Sequence, residues 1–590
     1  AFIYKNLTRE QNSGNFLQAK LQGSPANPFA VGASVLIEYQ GVKQYQELNP
    51  NHGIFSSVEH LIHFGLGQTA QVDKLTVRWP DGKTQTLNNV PANQRLQLKW
   101  MDAAGYVAHL TPPFSTAPSL FSEKNAVSVG LDFVHKENVF SDFETWVLYP
   151  WTVTDLGPII TQADVNGDGL EDFFIGNSFE SAGALYFQTA GGTFRASKDS
   201  IFENDKRYED HGGVFFDADG DKDLDLYVVS GTSEFTDGSP YQQDRIYFND
   251  GHGNFKIDTT ALPNLTSSGS CVVAGDIDND GDLDLFVGGR QIPGKYPLAP
   301  RSYLLKNNSG KFVDATSSLG PDLENIGMVT CALWTDFDND GQTDLMVAGE
   351  WMPISFFKNE KGKLQKLTTN ISSTSTGWWN SIIGGDFDND GDTDYMLGNL
   401  GLNAKLKATA EHPINIVGAD FNKNGSVDAI TGFWLTGKDG KLNNFPLPQR
   451  EMLIATIPSA RKFYNLFDDY ANVDMNTFIA KLNVKPLFSA KAQELRSIYL
   501  ENLGGNKFSM QALPMQAQLA PQFGITVGDF NNDENLDVLM VGNSYSSDVS
   551  TGQYDASYGL CLTGDGHGHF TAVKHTGFFA DGDSKGMAQL

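Results

Sequence analysis

The sequence predicts an all-β protein, a β-propeller of seven blades with acidic cation-binding loops, preceded by a small β-domain and interrupted by a helical insertion. Three observations predict it. A nine-residue acidic segment recurs seven times. The first four intervals between copies, 53, 59, 60 and 50 residues, suit a four-stranded blade. Copies are followed by short apolar runs rich in branched and aromatic residues (FFIGN, LYVVSG, LFVGG, LMVAG, VLMVGN), which read as strands.

The copies are DVNGDGLED from Asp164, DADGDKDLD from Asp217, DIDNDGDLD from Asp276, DFDNDGQTD from Asp336, DFDNDGDTD from Asp386, DFNKNGSVD from Asp420 and DFNNDENLD from Asp529. Oxygen-bearing side chains stand at positions 1, 3, 5 and 9, and a backbone carbonyl is available at position 7, the donor set of a hard cation. Loop by loop the candidate ligands are Asp164, Asn166, Asp168, Leu170 and Asp172; Asp217, Asp219, Asp221, Asp223 and Asp225; Asp276, Asp278, Asp280, Asp282 and Asp284; Asp336, Asp338, Asp340, Gln342 and Asp344. They continue with Asp386, Asp388, Asp390, Asp392 and Asp394; Asp420, Asn422, Asn424, Ser426 and Asp428; and Asp529, Asn531, Asp533, Asn535 and Asp537. A flexible loop with about five protein oxygens suits Ca²⁺ better than Mg²⁺, and five to seven structural calcium ions are expected.

Five of the seven loops have glycine at position 6, where the chain turns sharply around the ion. Loop two has Lys222 there and loop seven Glu534. Loop six offers only Asp420 and Asp428 as carboxylates, with Lys423 adjacent, so weak or absent metal is expected. An EF-hand needs a bidentate Glu at position 12 and flanking helices. Here position 12 is Ile175, Val228, Val287, Val347, Leu397, Thr431 and Met540, so the loop joins two strands. Hairpins such as LYFQTAGGTF, IYFNDGHGNF, YLLKNNSGKF and IYLENLGGNKF then complete a blade.

The last two intervals, 34 and 109 residues, break the pattern. Between 435 and 495, PSARKFYNLFDDYANVDMNTFIAKL and SAKAQELRSI have helical apolar spacing and read as an insertion, which leaves the blade assignment of loops five and six open. The segment SKGMAQL near the end resembles another inner strand, so ring closure can draw on either end.

At 590 residues the chain exceeds a single core, and the division expected is 1–110 and 111–590. A net charge of −29 argues against nucleic acid and anionic membranes as partners. Seven divalent ions would bring that −29 to about −15. Cys271, Cys331 and Cys561 fit no zinc spacing. The first two stand five residues before their loops, at equivalent points on neighbouring strands, which leaves a disulfide open. No run of 18 apolar residues is present, so no membrane span is expected. The opening AFIYKNLTREQNSGNF reads as the end of a strand unit in a longer precursor.

The acidic loops closely resemble the FG-GAP or VCBS repeats of integrin-like propellers over roughly residues 125–590. The resemblance implies a propeller, commonly of seven blades, with Ca²⁺ between the first and second strands of a blade. The first hundred residues resemble the ASPIC/UnbV module, through NPFAVGA at Asn27–Ala33, FSSVEHLIHFGLG around His63–Gly67, VDKLTVRWPDG ending at Gly82, and NVPANQ. On residues alone this stretch is a small β-domain with turns at PDG and GLG.

The leading functional reading is a binding protein with structural calcium, whose opposite propeller face takes a glycan or protein. Candidate residues on that face are Arg290, Glu350, Trp351, Trp378, Trp379, Asn399, Asn403, Trp434, Asn543 and Tyr545, set against the simpler reading that the tryptophans pack between blades. A polysaccharide- or phosphoester-cleaving enzyme is one alternative, but no GxSxG, HExxH, P-loop or contextual GxGxxG is present, and no catalytic residue is assigned. A scaffold or accessory subunit of a larger surface complex is the other. Sequons at Asn6, Asn264, Asn307 and Asn370 fit an exported protein. So do loops that would fill at extracellular millimolar Ca²⁺. The module pairing points to the outer surface of a bacterium, with extracellular matrix as the alternative.

Overall fold

A computed structural model describes residues 14–51, 53, 56–106, 119–548 and 550–590. The Asn6 sequon, Phe55 of the FSSVEH stretch and the boundary expected near 110 lie outside the described residues. The chain divides into two compact units, Ala1–Pro118 and Ser119–Leu590.

The first unit has two sheets. One orders Ile62–Gly67, Asn15–Gln22 and Gln94–Lys99, the last pair parallel; the other orders Val42–Glu47, Ser34–Tyr39, Gln71–Arg78, Lys83–Pro91 and Gly105–Tyr106. Alternation along these strands buries Leu17, Val35, Ile37, Phe64, Leu75, Val77 and Trp79 in one core. The PDG turn is a tight hairpin in which Gly82 adopts φ 85° and Asp81 accepts from the Trp100 indole at 2.7 Å. His63 stacks on Phe16 at 5.8 Å beside Gln18.

Among the described residues the second unit holds seven sheets, six of four strands and one in which the short strand Gly377–Trp378 is a fifth, but only six are consecutive members of a ring. Their inner strands are Ile160–Ala163, Asp210–Phe216, Ser268–Gly275, Met328–Thr335, Ser381–Gly385 and Gln522–Gly528, each packed on the next. Blades one to four and blade six run inner to outer in chain order. Blade five does not: Ser381–Gly385 and Asp394–Gly398 pair onward with Ile498–Asn502 and Phe508–Ala512, a hundred residues later.

The intervening chain is the seventh sheet, ordered Leu442–Pro446, Asp428–Thr436, Ile414–Ala419 and Phe488–Ala492. It is accompanied by helices Arg450–Thr456, Phe467–Ala471 and Met475–Leu482. The expectation of seven is thus met in sheets but not in ring order, and the insertion is larger than the helical 435–495 segment because it carries loop six with it. This explains the 34-residue and 109-residue intervals: loop six belongs to the insert, and blade five resumes after it.

Between blades six and one the ring is filled by irregular chain. Ser584 donates to the Gly542 carbonyl at 3.0 Å, Thr526 bonds Gln589 at 3.3 Å, and Gln162 bonds the Gln589 carbonyl. Outside them, Phe121 N–H donates to the Thr576 carbonyl of blade six at 2.8 Å, and Asp132 accepts from Tyr186 of blade one at 2.7 Å. Both ends of this unit therefore close the ring, as the SKGMAQL segment suggested, without forming a four-stranded blade.

Candidate metal centres and the residues that tie them to the ring

Each acidic segment of the ring joins the inner to the second strand of its blade, so the ring loops all lie on one face, while loop six joins the two central strands of the inserted sheet. Two residues per loop are left-handed. At position 6 the φ values are 83° (Gly169), 78° (Lys222), 96° (Gly281), 82° (Gly341), 95° (Gly391), 89° (Gly425) and 69° (Glu534). Position 4 is also left-handed, from 56° at Asn339 to 84° at Gly220, which the sequence reading missed although Gly and Asn dominate there.

These kinks turn the loop around its first carboxylate. Asp336 accepts from the N–H groups of Asp340 at 3.0 Å and Gly341 at 2.8 Å, and Asp420 and Asp529 do the same in their loops. Position 5 accepts from the N–H of position 7, as Asp280 does from Asp282 at 3.1 Å. At position 7 Gln342 turns away and accepts from Asn279 of the preceding loop at 2.9 Å, and Asp282 accepts from the Ser309 N–H at 3.0 Å, whereas the Asp392 carboxylate of loop five stays beside Asp388, Asp390 and Asp394 with a buried oxygen that has no donor.

Three carboxylates converge in loops two to five: Asp217, Asp219 and Asp225; Asp276, Asp278 and Asp284; Asp336, Asp338 and Asp344; Asp386, Asp388 and Asp390, with candidate ligand atoms within 4.8 Å of one another. Among the described residues, loops one, six and seven form no such group. In loops three to five, oxygens of Asp278, Asp338, Asp344 and Asp386 are buried with no hydrogen-bond donor. Buried carboxylate oxygens without donors are costly, and a hard cation satisfies several at once. The donor set fits calcium, which Asp, Asn and a position-7 carbonyl of each loop would hold.

Position 9 has a second role that the sequence reading did not find. Its carboxylate is buried, and in loops one, two, three, five and seven one oxygen accepts from position 2 of its own loop and the other from the third strand, whereas Asp344 takes only the third-strand N–H of Asn359 and Asp428 only donors of its own loop. Asp284 accepts from Ile277 at 3.2 Å and Asn307 at 2.8 Å; Asp225 accepts from Ala218 at 2.9 Å and Asn249 at 2.8 Å. Burial pushes these carboxyls up, to about 7 for Asp225 and Asp344 and about 6 for Asp172, Asp284, Asp394 and Asp428.

The third-strand residue is asparagine in blades two to five: Asn249, Asn307, Asn359 and Asn502. Each side-chain NH₂ donates backwards to the position-2 carbonyl of the preceding blade's loop: Asn249 to Val165 at 2.7 Å, Asn307 to Ala218 at 2.8 Å, Asn359 to Ile277 at 2.7 Å and Asn502 to Phe337 at 3.0 Å. The amide oxygens of Asn249, Asn307 and Asn359 cap glycine turns at Gly253, Gly310 and Gly362. The signal in the sequence is an asparagine ahead of the hairpin glycines, Asn-x-x-Gly at Asn307, Asn359 and Asn502 and Asn-x-Gly-x-Gly at Asn249. It also means that Asn307, 1% exposed, is a structural staple rather than an open glycosylation acceptor.

The residue before the staple differs between blades. In blades three and four it is lysine: Lys306 bridges Asp278 and Asp280 (3.2 Å), and Lys358 bridges Asp338 and Asp340 (2.8 Å), positions 3 and 5 of the loop. The paired carboxylates push the Lys306 ammonium up to about 12. In blade five it is Glu501, whose charge helps to raise the Asp388 carboxyl, chiefly pushed up by burial and by Asp390.

Of the residues expected to form an open ligand face, Arg290, Glu350, Trp351, Trp378, Trp379, Asn399 and Asn543 are all at most 5% exposed. Trp351 and Trp378 lie edge to face at 5.0 Å, in one core cluster with Tyr149, Trp151, Tyr296 and the inserted sheet's Ile414, Ile416 and Ala429. Trp379 donates to the Ser375 carbonyl at 2.9 Å, and Asn399 and Asn543 are spent on backbone groups. The three tryptophans thus pack in the core, as the simpler reading has it. Asn403 and Tyr545 are exposed and Trp434 half-buried. The three thiols are unpaired, and burial pushes Cys271 and Cys561 up to about 11.

Fold and loops together define an all-β, propeller-like protein with repeated acidic loops whose carboxylates could hold metal ions. The family described as ASPIC and UnbV matches residues 23–105, and the FG-GAP-like repeat matches 164–228, 231–287 and 336–397. The chain thus carries an ASPIC/UnbV domain and three FG-GAP-like repeats. It is similar to cartilage acidic protein 1 of Mus musculus, 26% identical over 214 residues, which is 35% of this chain and 30% of that protein's length. Overlaps with solved structures are loose. The V. cholerae biofilm matrix protein Bap1 gives a TM-score of 0.27 at 12% identity, covering 72% of this chain and 80% of that one. The six-bladed Aleuria aurantia lectin gives 0.25 at 8%, covering 74% and 96%. No argument is drawn from scores this low. Among the described residues, no helix is long and apolar enough to cross a membrane.

Proposed function

We propose that this chain is an extracellular or cell-surface binding protein whose propeller is held in shape by structural calcium, and which binds a glycan or protein partner rather than catalysing a reaction. The observation that carries the calcium half is the set of buried, donor-free carboxylate oxygens of Asp278, Asp338, Asp344 and Asp386, repeated at loops of successive blades. The extracellular setting follows from the repeats and from likeness to cartilage acidic protein 1.

The partner half rests on the inserted sheet. A groove of about 490 Å³ lies around Trp434, Asn415, Asn443, Asn444 and Lys491. An indole beside carboxamides suits a sugar ring, and a carbohydrate array with wild type and Trp434→Ala tests it. Signal lost in the variant supports a glycan; a silent array with a stable pulled-down protein supports a docking subunit instead. The calcium half is tested by thermal unfolding in millimolar Ca²⁺ and in chelator, with metal content measured on the same sample. A large Ca²⁺-dependent rise with at least four ions bound is expected; no shift and no bound metal would remove it.

A further inference from the structure

The ring encloses a cavity of about 270 Å³ at the end of its channel away from the acidic loops. Its apolar wall includes Trp151, Ile160, Val272, Leu400 and Phe523. The aromatic cluster shared with the inserted sheet contributes Trp151, Trp378 and Leu400 to this wall. Toward the loops, every residue of the inner strand Ser381–Gly385 is half-buried, as is the run from Ile525 to Gly528.

The polar groups of the cavity do not balance. Arg290 is 2% exposed and donates through Nη2 to Glu350 at 2.7 Å, while its Nε and Nη1 have no acceptor. Glu350 cannot supply one: its other oxygen takes the Tyr296 hydroxyl, which in turn accepts from the Trp351 indole at 2.7 Å. The Trp378 indole N–H, also on the cavity wall, has no acceptor either. The nearby hydroxyls are committed to main-chain carbonyls, Ser270 to Val329 at 2.7 Å and Thr330 to Trp379 at 2.6 Å. A second buried cation, Lys585, lines the same space, held by Asp583 at 2.5 Å. The unpartnered groups are thus the Trp378 indole N–H, the His211 Nε2, which lies 3.6 Å from Glu209, and two N–H groups of one guanidinium, and the complement of a desolvated guanidinium N–H is an anionic oxygen.

We propose that this cavity binds a small organic carboxylate, its anionic oxygens on the free N–H groups of Arg290 and its body against the apolar wall. A space worth about nine water volumes limits the ligand to roughly one ring-sized acid. The carboxylate has three sources: a free acid, the acidic end of a sugar chain, or a peptide C-terminus. The site shares no residue with the acidic loops or the Trp434 groove, so it stands or falls separately from the reading above.

The test is titration calorimetry on the full calcium-saturated chain with benzoate, D-glucuronate and a free-acid tripeptide. The controls are D-glucose, the amidated tripeptide and inorganic phosphate. Saturable binding of at least one carboxylate, with its neutral counterpart silent, is expected, and which one binds identifies the source. Arg290→Lys should weaken it about tenfold or more. Because that change also disturbs Glu350, Leu400→Phe, which narrows the cavity and leaves every polar group in place, should weaken it too. The proposal is overturned if no carboxylate binds the wild type, if neutral analogues or phosphate bind equally well, or if both variants, shown to be folded by their unfolding profiles, bind as the wild type does.

Discussion

The same nine-residue turn is used in two ways in this molecule, on the ring and on the sheet inserted into it. In ring loops two to five, the position-9 aspartate reaches across to a third strand, whose asparagine reaches back to the neighbouring blade. In loop six, Asp428 spends its oxygens inside its own loop, on Phe421 at 3.0 Å and on Asn422. The reason is register. The third strand, Leu442–Pro446, pairs with residues 432–436 and never comes alongside Asp428. The turn forms wherever its residues occur; the linkage between blades needs the strand beside it.

The comparison breaks most easily at position 9. Asp284→Ala or Asp225→Ala should cost about 4 kcal/mol in calcium, by loss of two charge-assisted hydrogen bonds and an ion ligand, whereas Asp428→Ala, whose hydrogen bonds stay within its own loop, should cost about half that. Equal losses in denaturant unfolding would end the distinction. Next, Asn359→Ala should cost about 3 kcal/mol by leaving the Ile277 and Thr343 carbonyls without their donor. That loss should be the same in calcium and in chelator, because the staple is not a metal ligand.

Acidity sharpens the contrast between loaded and stripped protein. The position-9 carboxyls titrate higher in the calcium-free fold than in an unfolded chain, so their contribution is present at low pH and lost as pH rises through about 6 to 7. In chelator, the melting temperature should therefore rise as pH falls from 8 to 5.5. In calcium it should fall over the same range, since protons compete with the ion.

Among ring loops, blades three and four differ from blade five by the lysine at their carboxylates. Lys306→Met and Lys358→Met should tighten calcium binding at those loops several-fold and, in chelator, cost about 1 kcal/mol each. A loss of calcium affinity would instead make the lysines organisers of the ligands. The smallest effect is expected at position 6: Lys222→Gly and Glu534→Gly should each stabilise by about 1 kcal/mol, by relieving a left-handed side-chain residue.

Much of this architecture was legible in the chain itself. The acidic segments placed seven strand-to-strand turns correctly, because the turn is built from contacts within nine residues and from glycine or asparagine where φ is positive. The apolar runs after them were strands, since branched and aromatic residues alternate or stay buried there. What the sequence could not order was the ring. Blade five is split by a complete sheet, and pairing Asp394–Gly398 with Ile498–Asn502 across a hundred residues leaves no local trace. Nor could it separate a binding tryptophan from a core one: Trp351 and Trp378 are buried in the aromatic cluster shared with the inserted sheet, and Trp379 is buried among residues of blades four and five. Local chemistry determined the loops and strands of this protein. Burial and strand partnership, which depend on residues far along the chain, were decided by the tertiary structure alone.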